Sequence, residues 1–297
     1  MATSNSVINI LKNALDEDLG TIGDITSQAI FDCVDMGEAV ICSKQAGILS
    51  GASLIAPLYE LVDSYLLSLK SPAASCPMPT QIALCCSDGD PIGPETVICK
   101  IQGSVKSILS GERVILNLLQ RLSGIATLTA KMVKELGGGK TRLLDTRKTS
   151  PGLRTLEKAA VRHGGGFNHR AGLYDMILIK DTHVKHTGGV KDALAKALAW
   201  RGGKITPFIE VEVQSVDEFF EALPLKPDRI MLDNMTPEEI KACVNERNAQ
   251  GLSTELEASG GISLFTLPAI AATNVDFVSS GAITHSAPAL DINLVMV

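Results

Sequence analysis

The sequence predicts an α/β protein in two parts, an N-terminal α+β domain with its own small sheet and a parallel α/β barrel behind it. Three observations carry this. From about residue 140 onward, short apolar runs ending in polar residues alternate with helix-like stretches, at a spacing that calls for parallel strands and right-handed crossovers. Before residue 110 the strand-like segments follow no such rhythm. The last two apolar runs end in small-residue loops, Ser259-Gly260-Gly261 and Ser279-Ser280-Gly281, where α/β barrels carry a recurrent phosphate site.

In chain order, residues 7–19 space their apolar positions as a helix and stop at Gly20 and Gly23. "GDIT" at 23–26 reads as a helix cap or a turn. "EAVICSKQAGILSG" and "ETVICKIQGSVKSIL" are rich in β-branched residues and punctuated by Gly, so they read as strands of the small sheet. Between them "SLIAPLYELVDSYLLSL" reads as a helix and "KSPAASCPMP" as a loop. The longest helical stretch runs from Ser110 to about Leu136, with Ser110 as N-cap, Glu112 on the positive end of the dipole and an interruption at Gly124. "GGGK" closes it.

Beyond lie six expected strands, "RLLDT", "DMILIKD", "FIEVEV", "RIMLDN", "LEASGG" and "DFVSSG", with a seventh hidden in 155–175. Helices separate them; "TPEEIKACVNERNAQ" opens on Thr236 as cap, with Pro237 at the first position and acids behind it. An open doubly wound sheet fits the same alternation. The barrel is favoured by "FIEVEV", in which Glu210 and Glu212 share a face with Phe208 while Ile209, Val211 and Val213 share the other.

Composition narrows the function. The chain has 297 residues, 45% of them hydrophobic, enough for one large domain or two ordinary ones. Only 4% are aromatic, against the stacking platforms of single-strand binders, and the net charge of -6 argues against binding a phosphate backbone. No apolar run reaches the roughly 18–20 residues of a membrane span. The first residues show neither a signal nor a transit pattern. Seven cysteines, an odd number without Cys-x-x-Cys, make no disulfide framework. A reduced, cytoplasmic enzyme is expected.

Within this acidic chain, residues 140–180 carry nine Lys or Arg against three acids. Such a concentration focuses a field on a small anion. The expected strand ends supply Arg147 and Lys148, Lys180 with Asp181, Glu212, Asp233 and the two glycine turns; "GGGFNHR" adds His169 and Arg170. Arginine grips carboxylate or phosphate through two oxygens while lysine acts as a point charge, so the mixture suits a ligand with several acidic groups. The carboxylates call for a divalent metal such as Mg²⁺, or for sugar hydroxyls. Taken alone, Arg113, Asn117 and Arg121 at i, i+4, i+8 read as a solvated helix face, and His183 with His186 as surface or capping residues. A Schiff-base lyase using Lys180 and a non-catalytic anion binder are the readings from other classes.

"EDLGTIGDIT", "GERVILNLLQRLSGIAT", "LLDTRKTSPGLR", "GGGFNHRAGLYDMILIKDTH", "IEVEV", "IMLDN", "EASGGI" and "SSGAITHS", in this order from about residue 16 to residue 291, resemble the quinolinate phosphoribosyltransferases of NAD biosynthesis. The resemblance implies an α+β open-sandwich domain of residues 1–112 and 288–297, to which a C-terminal strand returns, and a seven-stranded, incomplete TIM-like barrel of residues 113–287 of the type II phosphoribosyltransferase kind. It implies transfer of phosphoribosyl from 5-phosphoribosyl 1-pyrophosphate to quinolinate with loss of CO₂, giving nicotinate mononucleotide and pyrophosphate.

By the same resemblance Arg147, His169, Arg170 and Lys180 clamp the quinolinate carboxylates, and Lys148 lies near the ribose or pyrophosphate. Glu212 and Asp233 face the ribose hydroxyls and Mg²⁺, directly or through water. Ser259, Gly260, Gly261, Ser280 and Gly281 hold the 5′-phosphate, and Thr146 and His285 join the substrate-binding set. Lys148, Lys180, Glu212 and Asp233 form the catalytic group. The family pairs as a homodimer, also as a hexamer of three dimers, with Arg113 crossing into the partner's site. Nicotinate phosphoribosyltransferase is the nearer rival, disfavoured by the abundance of cations. One departure is visible: the family's usual Lys-Asp-Asn-His reads Lys180-Asp181-Thr182-His183 here, which puts a direct role for position 182 in doubt.

Overall fold

The computed structural model describes residues 5–32, 34–68 and 78–297. It packs as two compact units, one of Met1–Leu128, Ser150–Gly164 and Ala287–Val297, the other of Thr129–Thr149 and Gly165–Ser286.

The first unit opens with α1 (Asn5–Leu19), which buries Leu11, Leu15 and Leu19 at helical spacing. Asp24 then caps α2 (Ile25–Ile30), accepting from the Thr26 and Ser27 N–H groups, so "GDIT" is a helix cap. The strands β1 (Met36–Ser43), β3 (Gln81–Leu84) and β5 (Val97–Ser104) join the C-terminal strand Ile292–Met296 in an antiparallel sheet. Its order is C-terminal strand, β1, β5, β3. Two short strands, β2 (Gly47–Ile48) and β4 (Pro91–Ile92), pair separately. The helix α3 (Ile55–Ser68) buries Leu58, Tyr59 and Val62. The loop expected at 70–79 lies, apart from Met78 and Pro79, outside the described residues.

The long helix α4 runs unbroken over Val105–Glu135, which corrects the expected start and the expected interruption. β5 feeds directly into it, and the Val105 N–H bonds the Asp35 carbonyl at 2.9 Å. Ser110 is buried within the helix and Glu112 lies beyond its first turn. The expected domain boundary at residue 112 lies inside α4. Gly124 is glycine for another reason: a Cβ there would collide with the Pro288 carbonyl oxygen, so bare backbone lets the returning chain cross the helix. Arg121, expected on a solvated face, pairs at 3.0 Å with Glu157 of α5 (Arg154–His163).

In the second unit the six expected strands are present as β6 (Arg142–Leu144), β7 (Met176–Ile179), β8 (Phe208–Val213), β9 (Arg229–Asp233), β10 (Glu255–Ser259) and β11 (Phe277–Ser279). All pair in parallel, in the order β6-β11-β10-β9-β8-β7. Strands β7 to β11 follow one another without the reversal of a doubly wound sheet, and the first strand pairs with the last, as a barrel requires. The seventh position is held by one residue: Phe167 bridges Leu144 in parallel.

The helices α6 (Asp181–Thr187), α7 (Val190–Arg201), α8 (Val216–Ala222), α9 (Pro237–Ala249), α10 (Leu267–Ala271) and α11 (Ala282–His285) follow the strands. Ile209, Val211, Val213, Ile230, Leu232, Leu256 and Val278 are fully buried in the strands. Each contributes about 1.5–3 kcal/mol by its removal from water. Thr236 is the expected cap of α9, and with Glu239 it forms a capping box. Among the described residues no helix is long and apolar enough to cross a membrane, and Cys42, Cys85, Cys86, Cys99 and Cys243 are free thiols.

Candidate active site

The C-terminal ends of the barrel strands open into a cavity of about 500 Å³. Thr146, Arg147, Lys148, His169, Arg170, Lys180, Glu212, Asp233, Ser259, Gly260 and Gly261 line it, joined by Asn234, Glu257 and Ser279. Four of the nine cations of residues 140–180 therefore converge. The other five serve elsewhere: Lys140 pairs with Asp276 at 3.0 Å, Arg142 stacks on the Phe167 ring at 5.1 Å, and Arg154, Lys158 and Arg162 belong to α5.

At the mouth, Lys180 Nζ stands 3.0 Å from Glu212 Oε2. The Lys180 backbone N–H donates to His183 Nδ1 at 2.8 Å, and the Thr182 carbonyl lies 2.8 Å from His186 Nδ1. Both histidines thus serve the start of α6, as expected. Asp233 accepts from the Asn234 amide at 2.7 Å, and its carboxyl is pushed up, first by burial and then by the like charge of Glu212.

The two glycine turns differ. Gly260 has φ +89°, and a Cβ on it would strike the side chain of Asn234, whose N–H is held by the Ser259 carbonyl at 2.8 Å. Gly281 lies under the Lys148 stem and beside the His285 ring, where a Cβ would come within 2.8 Å of Lys148 Cδ. Ser280, Gly281 and His285 are outside the cavity lining. Ser280 is buried with its N–H on the Leu144 carbonyl at 3.1 Å, and His285 pairs with Ser286 Oγ at 2.6 Å. Thr284 Oγ1 donates to the Lys148 carbonyl at 2.8 Å and fixes that loop.

Beneath the cavity lies a buried charge network. Glu210 does not reach the mouth with Glu212; it meets His169 Nε2 at 3.0 Å, and Glu257 lies 3.6 Å from the same nitrogen. His169 Nδ1 accepts from the Arg170 N–H at 2.7 Å, which leaves Nε2 to carry the hydrogen toward Glu210. Arg229 closes the group, 3.0 Å from Glu257 and 2.7 Å from Glu255, stacked on Phe277 at 4.2 Å. Burial pushes both Glu210 and Glu257 up to about 7. Burial, and next Arg147, hold Arg170 below the ordinary arginine value.

Such a site can bind a polyanion and stabilise a departing one. The chain matches the family model described as quinolinate phosphoribosyl transferase, N-terminal domain, over residues 24–123, and the C-terminal domain of the same family over residues 125–295. The chain belongs to the quinolinate phosphoribosyltransferase family. It is 42% identical over 285 residues to a probable carboxylating nicotinate-nucleotide pyrophosphorylase of Bacillus subtilis, covering 96% of this chain and 91% of that one. It is 39% identical to a decarboxylating quinolinate phosphoribosyltransferase of Nicotiana glauca, over 96% and 81% of the two chains. The solved nicotinate-nucleotide pyrophosphorylase of Francisella tularensis superposes with a TM-score of 0.86 at 38% identity, over 100% and 98% of the chains. Human nicotinic acid phosphoribosyltransferase, at 13% identity and a TM-score of 0.62, shares the fold.

Within this family member, sequence reasoning missed Glu257, Asn234 and Thr284. Glu257 had a signal, an acid embedded in an apolar strand run. Asn234 and Thr284 act through loop geometry, which carries no periodicity. Arg113 lies in the first unit on α4, its side chain 60% exposed, in a cleft with Asn117 and the acids Glu17 and Asp18 of α1.

Proposed function

We propose that the barrel cavity is where phosphoribosyl passes from 5-phosphoribosyl 1-pyrophosphate to quinolinate, with release of pyrophosphate and CO₂ and formation of nicotinate mononucleotide. The observation that carries the assignment of roles is the convergence of Arg147, Lys148, Arg170 and Lys180 with Glu212 and Asp233 on one cavity.

Arg147, Arg170 and Lys180 hold the two carboxylates of the pyridine, with Thr146 beside them. His169, bonded through both ring nitrogens, orients Arg170. As pyrophosphate leaves, C1′ becomes oxocarbenium-like and negative charge grows on the leaving group; Lys148 faces that charge, and positioning with electrostatics supplies most of the catalysis. The turn Ser259-Gly260-Gly261 and Gly281 cradle the 5′-phosphate through backbone N–H groups, while Ser280, its own N–H held by the Leu144 carbonyl, fixes the second turn beside His285. Glu212 and Asp233 face the ribose hydroxyls.

The crowding of Glu212 on Asp233 also fits a divalent cation, because a positive ion relieves like charges that burial intensifies. Mg²⁺ held there, directly or through water, would draw charge from the pyrophosphate oxygens. The assembly we infer is a homodimer, or a hexamer of three dimers, with the exposed Arg113 reaching a partner's site, and the location is cytoplasmic.

The test incubates the purified protein with quinolinate, 5-phosphoribosyl 1-pyrophosphate and Mg²⁺ and follows CO₂ and pyrophosphate together. Equal release of both is expected. Pyrophosphate release with nicotinate but none with quinolinate would move the reading to a monocarboxylate transferase, and silence with both would leave a non-catalytic anion binder.

A further inference from the structure

We propose that Asp145 is a positioning residue of the substrate clamp: its buried carboxylate clasps the Asn168–His169 segment to the end of β6 and sets the places from which Arg147 and Arg170 enter the cavity. This rests on the transferase reading above.

The backbone explains why a side chain is needed. Phe167 extends the barrel by a single residue, its N–H on the Leu143 carbonyl at 2.8 Å and its carbonyl accepting from the Asp145 N–H at 3.0 Å. Past Phe167 the ladder ends, and the Asp145 carboxylate takes over. Oδ1 accepts the His169 N–H at 2.8 Å and Oδ2 the Asn168 amide at 2.6 Å. An amide or hydroxyl at this position presents one good acceptor; a carboxylate presents two and brings a negative charge.

The charge matters because of what flanks it. Asp145 is 0% exposed and leads through Thr146 into Arg147, while the segment it grips leads into Arg170. These two guanidinium groups repel. The gripped segment has further anchors, the His169 ring against Glu210 at 3.0 Å and Arg170 Nη1 on the Met176 carbonyl at 3.2 Å. Asp145 joins both arginine-bearing segments, so its loss should fall on the carboxylate clamp and spare the sugar-phosphate side.

The test is steady-state kinetics of Asp145→Asn against wild type. The variant keeps the shape, removes the charge and turns one acceptor into an amide that faces the Asn168 amide. We expect the quinolinate KM to rise about tenfold or more, the KM for 5-phosphoribosyl 1-pyrophosphate to change less than about twofold, and Tm to stay within a few degrees. Asn168→Ala should raise the quinolinate KM by a smaller factor. A folded Asp145→Asn with an unchanged quinolinate KM, or with both KM values raised equally, overturns the positioning role. If Asp145→Asn does not fold, Asn168→Ala decides by the same split, and an unchanged quinolinate KM there overturns the role. A wild-type protein silent toward quinolinate removes the transferase reading and this role with it.

Discussion

At the mouth of the barrel one lysine and one glutamate stand 3.0 Å apart, and the Lys180 side chain remains half exposed, free to meet an incoming anion. Replacing it with alanine should leave the fold intact and lower kcat/KM by about a hundredfold or more, as should Arg147→Ala, because in the proposed clamp each supplies a charge-assisted contact to substrate. Circular dichroism beside steady-state kinetics checks both; near-normal kinetics in either variant would remove that residue from the clamp. Deeper down, Glu257 makes a thermodynamic prediction. A carboxyl raised from 4.5 to about 7 keeps its proton in the folded chain when the unfolded chain has lost it. Its contribution to stability is therefore present below pH 4.5 and is lost as pH climbs to about 7. His163, lowered from 6.5 by burial, works in the opposite sense, so the difference between wild type and Glu257→Gln is the quantity to read. Thermal melts from pH 5 to pH 8 should show the variant losing less Tm than wild type as pH rises; parallel curves would contradict the assignment. Residues of this kind were half legible in the sequence. Strand-end charges announced themselves through the break in apolar runs, whereas Glu210 and Glu212 look alike in "FIEVEV" and differ only in depth along the barrel.

The elements were more legible, because periodicity reports burial and burial is what strands and helices share. All six apolar runs beyond residue 140 became barrel strands, and Thr236-Pro237 opened a helix. The short strands β3 and β4 went unread, since β3 is exposed along most of its length and β4 has two residues. The start of α4 was misplaced because a strand running straight into a helix leaves no capping signature. Two substitutions probe elements directly. Gly124→Ala would force a methyl group into the Pro288 carbonyl and should cost about 1–3 kcal/mol, seen as a lower urea midpoint. Thr236→Ala removes the cap of α9 and should cost about 1 kcal/mol while leaving kcat and both KM values unchanged. A silent Gly124→Ala would mean that the crossing is looser than described.

For the whole molecule, composition showed the cation-rich stretch but not its division. Four of those cations serve the cavity and five serve structure or another unit, a sorting that only tertiary packing decides. Arg113 enters the proposed site only through family resemblance, since on its own helix it is a surface residue. The role proposed for it in a partner's site predicts intragenic complementation: Arg113→Ala and Lys180→Ala proteins should each be nearly inactive, while mixing them should restore activity in dimers that assemble one intact site. No recovery on mixing would count against a shared site. The C-terminal strand has a consequence of its own. Residues 292–296 pair with β1, whose partner residues lie at 39–43, so this sheet is completed by a segment that the ribosome makes after the six barrel strands β6–β11. During synthesis the outer edge of β1 stays unpaired until the entire barrel has been translated, an interval in which an open edge invites association with other nascent chains. Anything that delays or removes those last residues should therefore show first as aggregation during expression, before any loss of catalytic competence could be measured.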